Sequence, residues 1–285
     1  NFMKPGEPNG KKVACIGAGP SSLSCARELA LQGYEVTVYE ANEKAGGMLT
    51  YGILPSRLPQ EVVDFDIETI KQAGVKIVCG HKVEREELET LKKEYDAVYV
   101  GVGLWKAKEV DVPGTELAGV ENALDYLKAA RSGDKDFKVG ENVIVIGGGD
   151  VAMDCVSTAK QMGANAVIVY RRTIEEAPAN MEEVQSVQKM GIPIFTQFAP
   201  EEILGENGTV TGLKAAGRDG YSSLILKADQ IVFAIGQEQT DAFAGLRQEQ
   251  GLFMGGDMLY GKGRTVVEAV ADGKKAAEEI AEYLK

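Results

Sequence analysis

Two glycine-rich turns of the same design constrain the fold of this chain more than any other feature. The first reads Gly17-Ala18-Gly19-Pro20-Ser21-Ser22, and the second, 130 residues further on, reads Gly147-Gly148-Gly149-Asp150-Val151-Ala152. Each turn follows a short apolar run and precedes a helical pattern, which predicts a strand–turn–helix unit. The repetition predicts one internal duplication and an α/β fold.

The segments around each turn extend it to a strand–helix–strand unit. The predicted elements lie, in chain order, at 13–16, 20–32, 35–39, 142–146, 151–162 and 166–170. Further patterns predict a helix near 120–130, antiparallel strands over 209–216 and 224–227, and a closing helix over 265–283. The two strand–helix–strand units predict two parallel sheets.

The first turn has the chemistry of a site for a dinucleotide pyrophosphate. Gly17 permits the tight turn, Gly19 lets a phosphate approach the backbone, and the next helix offers free N–H groups with a partial positive charge. Glu40 lies 23 residues after Gly17 at the end of the second predicted strand, where a carboxylate accepts hydrogen bonds from ribose hydroxyls. The alternative is a purely structural turn with an exposed Glu40.

The second turn differs from the first in the charge of the residues that end its second strand. Its second strand ends in Tyr170-Arg171-Arg172 rather than in an acid. A carboxylate there would repel a 2′-phosphate, whereas two guanidinium groups can bind it with bidentate geometry. The pair therefore predicts NADPH rather than NADH, with a surface salt-bridge network as the alternative.

Composition narrows the range of partners. The 285 residues include 43 acidic and 31 basic side chains, so the net charge is −12, and the sequence pI is near 4.8. Nucleic acids and anionic membranes favour a basic surface, so neither is predicted as a partner. No run of 18 apolar residues and no signal-peptide core is visible, and a cytoplasmic protein is predicted.

The cysteines predict neither a disulfide framework nor a metal site. Cys15, Cys25, Cys79 and Cys155 form no C-x-x-C pair and fall within predicted strands or helices. They are therefore expected to be reduced and buried. His81, the single histidine, follows a predicted strand and is expected to have a surface or loop role.

Two dinucleotide sites in one chain favour hydride transfer from a nicotinamide to a flavin. At these residues the sequence resembles the two-dinucleotide-binding flavoproteins. The closer resemblance is to the FAD/NADPH part shared by the small subunit of glutamate synthase and the electron-input part of dihydropyrimidine dehydrogenase. The segments that carry it are GAGPSSLSCARELALQGYEVTVYE (17–40), GGMLTYGILPSRLP (46–59), VIGGGDVAMD (145–154), VYRRT (169–173), FAIGQ (233–237), GGD (255–257) and TVVEAVADGKKAA (265–277).

The resemblance implies two Rossmann-like domains of the glutathione/thioredoxin reductase type. An NADPH domain over 111–228 would be inserted into a discontinuous FAD domain over 1–110 and 229–285. It implies FAD and NADPH as cofactors, with electrons passed onward to a partner subunit or an iron–sulfur domain; it implies no catalytic side chain and no metal ligand. The implied cofactor-binding residues are Gly17, Gly19, Pro20, Ser21, Ser22, Glu40, Gly47, Met48, Arg57, Val83, Gly103, Gly147, Gly149, Asp150, Val151, Arg171, Arg172, Ala234, Gly236, Gly256, Asp257, Thr265 and Val266.

Three departures from the family pattern stand out. The first predicted strand begins about ten residues into the sequence, so the family's N-terminal iron–sulfur domain is expected to be absent here. Ser22 occupies the position at which flavoproteins more often have glycine. The segment 239–251 is shorter than the family's, which usually contains a hairpin there.

Two other functions remain open at this level. A stand-alone disulfide reductase of the thioredoxin reductase type needs a redox dithiol, commonly a C-x-x-C just before the second turn, and 138–142 contains no cysteine. A non-catalytic dinucleotide-binding module would not have its flavin bleached by NADPH, so that observation would discriminate it from an enzyme.

Overall fold

The computed structural model describes residues 4–55, 57–132, 137–263 and 265–285. Within them the strands are β1 Lys12–Ile16, β2 Glu35–Glu40, β3 Lys76–Cys79, β4 Ala97–Val100, β5 Lys106–Ala107, β6 Val120–Asn122, β7 Asn142–Ile146, β8 Asn165–Tyr170, β9 Ile194–Thr196, β10 Phe198–Glu206, β11 Thr209–Gly217, β12 Ser223–Lys227, β13 Gln230–Phe233, β14 Gln237–Glu238 and β15 Leu252–Met254. The α-helices are α1 Pro20–Leu31, α2 Met48–Tyr51, α3 Gln60–Gln72, α4 Arg85–Glu94, α5 Ala123–Ser132, α6 Asp150–Gln161, α7 Met181–Lys189, α8 Asp257–Tyr260 and α9 Val266–Tyr283.

The chain divides into two compact units. The first comprises Asn1–Lys106 with Gln237–Lys285, and the second is Ala107–Gly236. The sequence interpretation places the divisions at 110/111 and 228/229, so it assigns β13 to the first domain. In the structure β13 pairs in parallel with β7 and β6, which makes it part of the second unit's sheet.

The first unit contains a five-stranded parallel sheet in the order β15-β4-β1-β2-β3. Both faces of the sheet are covered. Alternate residues of β1 enter different cores: Val13 and Cys15 pack with α1 and α9, whereas Ala14 and Ile16 pack with Leu88 of α4. A parallel strand that is buried on both faces reads as a continuous apolar run, as β1 does.

Close contact between α1 and α9 depends on a glycine. A Cβ on Gly273 would lie 2.1 Å from the Ser21 carbonyl oxygen, so the helices can approach this closely only where α9 has no side chain. The Ser24 hydroxyl donates to the Val270 carbonyl at 3.0 Å. These contacts place α9 directly against the helix that begins at the first glycine turn.

The second unit contains a parallel sheet in the order β6-β13-β7-β8-β9 and an antiparallel sheet in the order β10-β11-β12. Helices α5, α6 and α7 pack on Val143 and Val145 of β7. Ile144 and Ile146 face the other way and pack with apolar residues of the antiparallel sheet, including Leu213. The antiparallel sheet therefore covers the face of the parallel sheet that the helices leave open.

The local predictions differ from the structure in several places. The segment predicted as helix from about residue 120 begins as strand β6, because Val120 pairs with Ile231, and α5 starts only at Ala123. The sequence interpretation also missed β10 and β15 and did not resolve α2 within the loop 45–59. Cys15, Cys25 and Cys155 are buried as predicted, but Cys79 is exposed because it ends β3 at the sheet edge.

Candidate functional site

The first glycine turn connects β1 to α1 in a conformation that requires glycine. Gly17 has a φ of 88°, and a Cβ on it would lie 2.9 Å from the Gly101 carbonyl oxygen. Its N–H donates to the Tyr39 carbonyl at 2.8 Å. Gly19 forms the N-cap of α1 without a side-chain hydrogen bond, and a Cβ there would meet no atom within 4 Å. The turn thus leaves open space beside uncapped helix N–H groups, the arrangement that fits a phosphate.

Glu40 joins the end of β2 to this turn. Its side chain is buried, and one carboxylate oxygen accepts the Ala18 N–H at 2.7 Å. The other oxygen accepts the backbone and side-chain N–H groups of Asn42, both at 2.8 Å. A carboxylate has about four acceptor positions, so one remains for a ribose hydroxyl. Glu40 is thus buried rather than exposed, and its contact with a ribose stays a prediction.

A serine fits at position 22, where flavoproteins more often have glycine, because Gly101, the residue that faces it, has no side chain. The Ser22 hydroxyl is buried and donates to the Gly101 carbonyl at 3.3 Å. A Cβ on Gly101 would lie 2.4 Å from that hydroxyl oxygen. The neighbouring Ser21 hydroxyl hydrogen-bonds the phenol of Tyr99, whose pKa burial raises well above its ordinary value, so the phenol stays neutral.

A second glycine pair lies on the first turn. The Gly46 N–H donates to the Ala18 carbonyl at 2.8 Å, and a Cβ on Gly47 would lie 2.9 Å from the Gly19 Cα. Met48 then begins α2 and is half-buried. Arg57 is exposed further along the same segment. Of these predicted residues, the structure brings Gly47 directly to the turn.

Three other predicted residues of the first unit have clear local roles. The Val83 side chain is buried in the core with Leu88, so only its backbone is available to a ligand. Gly103 has a φ of 71° in an open position. Gly256 has a φ of 65°, and a Cβ on it would lie 3.0 Å from the Ser21 Cβ, which places the Gly256 backbone beside the start of α1.

The start of α9 differs from the start of α1 because it is capped. The Thr265 N–H donates to a Glu268 carboxylate oxygen at 2.9 Å, and the Glu268 N–H donates to the Thr265 hydroxyl at 3.3 Å. This reciprocal pair uses two of the N–H groups that would face a ligand. Val266 is exposed immediately after the cap, and Asp257 is half-buried at the start of α8.

The second glycine turn repeats the backbone hydrogen bond and the N-cap of the first, although Gly147 has a φ of 154° where Gly17 has 88°. Gly147 donates its N–H to the Val169 carbonyl at 3.1 Å, and a Cβ on it would lie 2.2 Å from the Ala234 carbonyl oxygen. Gly149 forms the N-cap of α6 without a side-chain hydrogen bond and has open space beside it. A Cβ on Gly148 would lie 2.4 Å from the Tyr170 ring, so that ring covers the middle of the turn.

Asp150 has a structural contact that sequence reasoning did not foresee. Its carboxylate accepts the Asn180 N–H at 2.8 Å, and the Ala179 N–H donates to the Gly148 carbonyl at 3.1 Å. The segment before α7 is thereby fixed to the turn. Val151, the next predicted residue, is half-buried and packs against the core of the second unit.

Arg171 and Arg172 are both exposed directly after β8, and neither makes an ion pair in the part of the chain that the structure describes. The salt-bridge alternative is therefore not observed. The sequence interpretation missed a third arginine nearby. Arg218, from the loop between β11 and β12, donates to a Glu176 carboxylate oxygen at 2.8 Å. That oxygen also accepts the Thr173 N–H at 3.0 Å.

The carboxyl end of β13 borders a cavity of about 320 Å³ in the second unit. The Ala234 N–H donates to the Ile146 carbonyl at 2.8 Å, and Gly236 follows with a φ of 108° beside Lys108. The cavity is lined by Lys108, Val110, Thr115, Val120, Glu121, Asn122, Asp125 and Phe233. The Asn122 side chain accepts the Asp125 N–H at 3.0 Å, which caps the start of α5.

The described residues form neither a metal site nor a helix that spans a membrane. They contain no cluster of three His, Cys, Asp or Glu that could hold a metal ion. None of their helices combines the length and hydropathy needed to span a bilayer. Burial raises the pKa of the Cys155 thiol, so this cysteine on α6 is a poor nucleophile. His81 lies in a loop with its Nε2 2.6 Å from a Glu87 carboxylate oxygen.

Comparison with known proteins agrees with this geometry. The chain is 39% identical to the NAD-dependent dihydropyrimidine dehydrogenase subunit PreT of Escherichia coli K12, over 100% of the chain and 71% of that protein. It is 33% identical to the glutamate synthase [NADPH] small chain of Azospirillum brasilense, over 100% of the chain and 69% of that protein. The structure of Mycobacterium tuberculosis FprA in complex with NADPH has the same fold, with a TM-score of 0.80 at 17% identity over 98% of this chain and 85% of that one.

Residues 11–273 match the family described as pyridine nucleotide-disulphide oxidoreductase, a range that includes both glycine turns. The predicted α/β fold of the glutathione/thioredoxin reductase type is confirmed, and so are the predicted family and the predicted cofactor classes. This chain belongs to the pyridine nucleotide-disulphide oxidoreductase family, as an oxidoreductase that uses FAD and NAD(P)H.

Proposed function

We propose that the first unit binds FAD, that the second binds NADPH, and that the electrons leave through a partner protein. FAD held in the first unit would supply the acceptor for a hydride and a proton, with NADPH oxidised to NADP⁺, and would make two electrons available to the partner. The observation that carries the proposal is the charge next to each glycine turn: a buried carboxylate in the first unit and two exposed guanidinium groups in the second.

The residues of the first unit support FAD through their hydrogen-bonding capacity. The uncapped N-terminus of α1 offers N–H groups to a pyrophosphate, and Glu40 keeps acceptor capacity for ribose hydroxyls beside it. Gly47 packs on Gly19, so the glycine loop closes one side of the phosphate position. The chain's part is to bind and orient the flavin, which supplies the hydride-accepting chemistry when bound.

The residues of the second unit support NADPH over NADH. Glu40 has its counterpart in Tyr170, because β2 and β8 take equivalent places beside β1 and β7. The end of β8 therefore has a tyrosine in place of the carboxylate that would bind a free 2′-hydroxyl. Arg171 and Arg172 come directly after this tyrosine. The relatives' names include both NAD-dependent and NADPH enzymes, so the arginine pair is the feature that favours the phosphorylated nucleotide here.

The electron acceptor is proposed to be an iron–sulfur subunit or domain. The relatives are named as a subunit and a small chain, which supports a multi-component enzyme. The thiols of Cys15 and Cys25 are neighbours but fully buried, and Cys155 is fully buried as well, so none of these three cysteines offers an accessible dithiol to take the electrons. Four unpaired cysteines support the cytoplasm as the compartment, since oxidising compartments favour disulfides.

Anaerobic titration of the purified flavoprotein tests this function. NADPH is expected to bleach the flavin absorbance near stoichiometry and to support the reduction of an artificial dye. NADH is expected to require a concentration at least about tenfold higher, which corresponds to about 1.4 kcal/mol. A flavin that neither nucleotide bleaches would contradict the enzymatic function. Efficient turnover of a disulfide substrate by the chain alone would instead identify a disulfide reductase.

A further inference from the structure

We infer that Arg218 is a third arginine of the 2′-phosphate site, brought to it by the antiparallel sheet of the second unit. The inference rests on the proposed binding of NADPH by that unit. It assigns a nucleotide-discriminating role to a residue 46 positions away from Arg172 in the sequence. Three features of the described residues support it: the backbone connections, the position of the guanidinium group and the charges around it.

The backbone connects Arg218 to the arginine pair through one residue. The Gln197 N–H donates to the Arg172 carbonyl at 2.9 Å, and the Arg218 N–H donates to the Gln197 carbonyl at 2.8 Å. Gln197 has a φ of 65°, a left-handed conformation that costs free energy in any residue other than glycine. Asn207 is the other described non-glycine residue with a positive φ, and it precedes Gly208 in the short turn between β10 and β11. Gln197 is the single residue between β9 and β10, where the chain passes from the parallel sheet to the antiparallel sheet, and its backbone bonds both Arg172 and Arg218.

The guanidinium group of Arg218 lies over the turn that follows the arginine pair. Its Nη1 is 2.8 Å from the Glu176 oxygen that accepts the Thr173 N–H at 3.0 Å. Nη1 is therefore within about 6 Å of the backbone nitrogen directly after Arg172. A phosphate held by Arg172 is within reach of the Arg218 side chain, which carries five N–H donors and uses one of them on Glu176.

Two carboxylates lie close to Arg218, and each has defined hydrogen-bond partners. The Thr173 N–H and the Arg218 guanidinium lower the pKa of Glu176, which is therefore ionised at neutral pH and fixes the arginine. Asp219 accepts the N–H groups of Tyr221 and Ser222 and the Ser222 hydroxyl, so its charge is used within its own turn. The remaining donors of Arg218 are the ones that a phosphate can use.

A matched control exists on the same antiparallel sheet. Lys214 forms an exposed ion pair with Glu201 at 3.2 Å between β11 and β10. An exposed pair of this kind contributes little to stability, so both Arg218→Ala and Lys214→Ala are expected to fold. Only Arg218 has the backbone connection to Arg172, and only its substitution should affect the nucleotide.

Calorimetric binding of 2′,5′-ADP and of 5′-AMP to the flavin-loaded full chain tests the inference, because the two probes differ in the 2′-phosphate. Arg218→Ala should weaken binding of 2′,5′-ADP about tenfold and leave 5′-AMP unchanged. Arg218→Lys should recover part of the loss, and Lys214→Ala should bind both probes as the wild type does.

Two results would overturn the inference, and they are distinguishable. If Arg218→Ala binds 2′,5′-ADP like the wild type while the double variant Arg171→Ala/Arg172→Ala loses it, Arg218 has no part in the site and the proposed NADPH binding stands. If the wild type itself binds the two probes equally, the proposed preference for NADPH fails together with the role of Arg218. Flavin content and spectrum, measured in each variant, show that the first unit is intact.

Discussion

The two glycine turns begin their helices with nearly the same N-cap backbone, but the residues that end their second strands differ in charge. Gly19 and Gly149 cap their helices with φ and ψ of −79° and 174° in the first unit and −97° and 175° in the second, and α1 and α6 are both twelve residues long. In the first unit the buried carboxylate of Glu40 accepts a backbone N–H of the turn. In the second unit the ring of Tyr170 covers the turn, and the two exposed arginines come directly after Tyr170 in the chain. Glycines shape the start of both helices, and we propose that the residues ending the second strand set which dinucleotide each turn accepts.

The largest effect is expected from changing a glycine of the cradle itself. Gly17→Ala adds a Cβ 2.9 Å from a backbone oxygen at a φ of 88°, so it should lower the free energy of unfolding by about 2–4 kcal/mol and release the flavin. Gly19→Ala is the control for stability, because its Cβ meets no protein atom within 4 Å and its φ suits any residue. That Cβ would occupy the space left for the phosphate, so Gly19→Ala should unfold like the wild type while it too loses flavin. Thermal unfolding separates the two variants, and equal destabilisation would show that the cradle has been misplaced.

Removing the arginine pair should affect only the second unit's ligand. In Arg171→Ala/Arg172→Ala the charge-assisted contacts to the 2′-phosphate are lost, at on the order of 1.5–3 kcal/mol per hydrogen bond. The KM for NADPH should rise tenfold or more and that for NADH should change little. Steady-state assays with a dye measure both constants, and an equal rise with both nucleotides would sink the assignment.

A smaller effect is expected at Glu40. Glu40→Ala leaves the N–H groups of Ala18 and Asn42 without their acceptor in a buried position, so unfolding should become easier by about 1–3 kcal/mol. The protein should still fold but retain its flavin less well after dialysis. Glu40→Gln keeps one acceptor oxygen and should lie between wild type and Glu40→Ala. If Glu40→Ala kept full flavin occupancy and an unchanged release rate, Glu40 would contribute only its hydrogen bonds to Ala18 and Asn42 and would not bind the flavin.

The smallest effect is expected at the third position of the first turn. Ser22→Gly removes the hydrogen bond to the Gly101 carbonyl and adds helix flexibility, which together should cost about 1–2 kcal/mol. Flavin content should remain at the wild-type level because the hydroxyl faces the core. A chemical denaturation curve measures the stability, and a loss of flavin without a loss of stability would place the hydroxyl at the ligand instead.

Much of this comparison could be predicted from the sequence because both turns are local. Gly17, Gly19 and Glu40 lie within one strand–helix–strand segment, where hydrophobic periodicity and glycine positions indicate the geometry directly. The contacts of Glu40 with Ala18 and Asn42 required the folded register of β1 and β2. The assignment of each dinucleotide to its unit stays a prediction.

Features formed by distant segments were not predictable in this way. Arg218 reaches Glu176 and Gln197 only because β10 and β11 return the chain to the segment after β8, which no spacing in the sequence indicates. The start of β6 was mistaken for helix since its three residues become a strand only by pairing with β13. The resemblance places Thr265 among the cofactor-binding residues, whereas its reciprocal hydrogen bonds with Glu268 depend on the exact helix start.

A crossed assay shows whether the two units bind different dinucleotides. FAD content after dialysis and the dissociation constant for NADPH are measured in the wild type, in Glu40→Ala and in Arg171→Ala/Arg172→Ala. The account predicts that Glu40→Ala loses flavin while its flavin-loaded fraction binds NADPH normally, and that the arginine variant keeps its flavin and binds NADPH at least about tenfold more weakly. The account is contradicted if the arginine variant loses its flavin while its affinity for NADPH is unchanged, or if the two variants lose both ligands to the same extent.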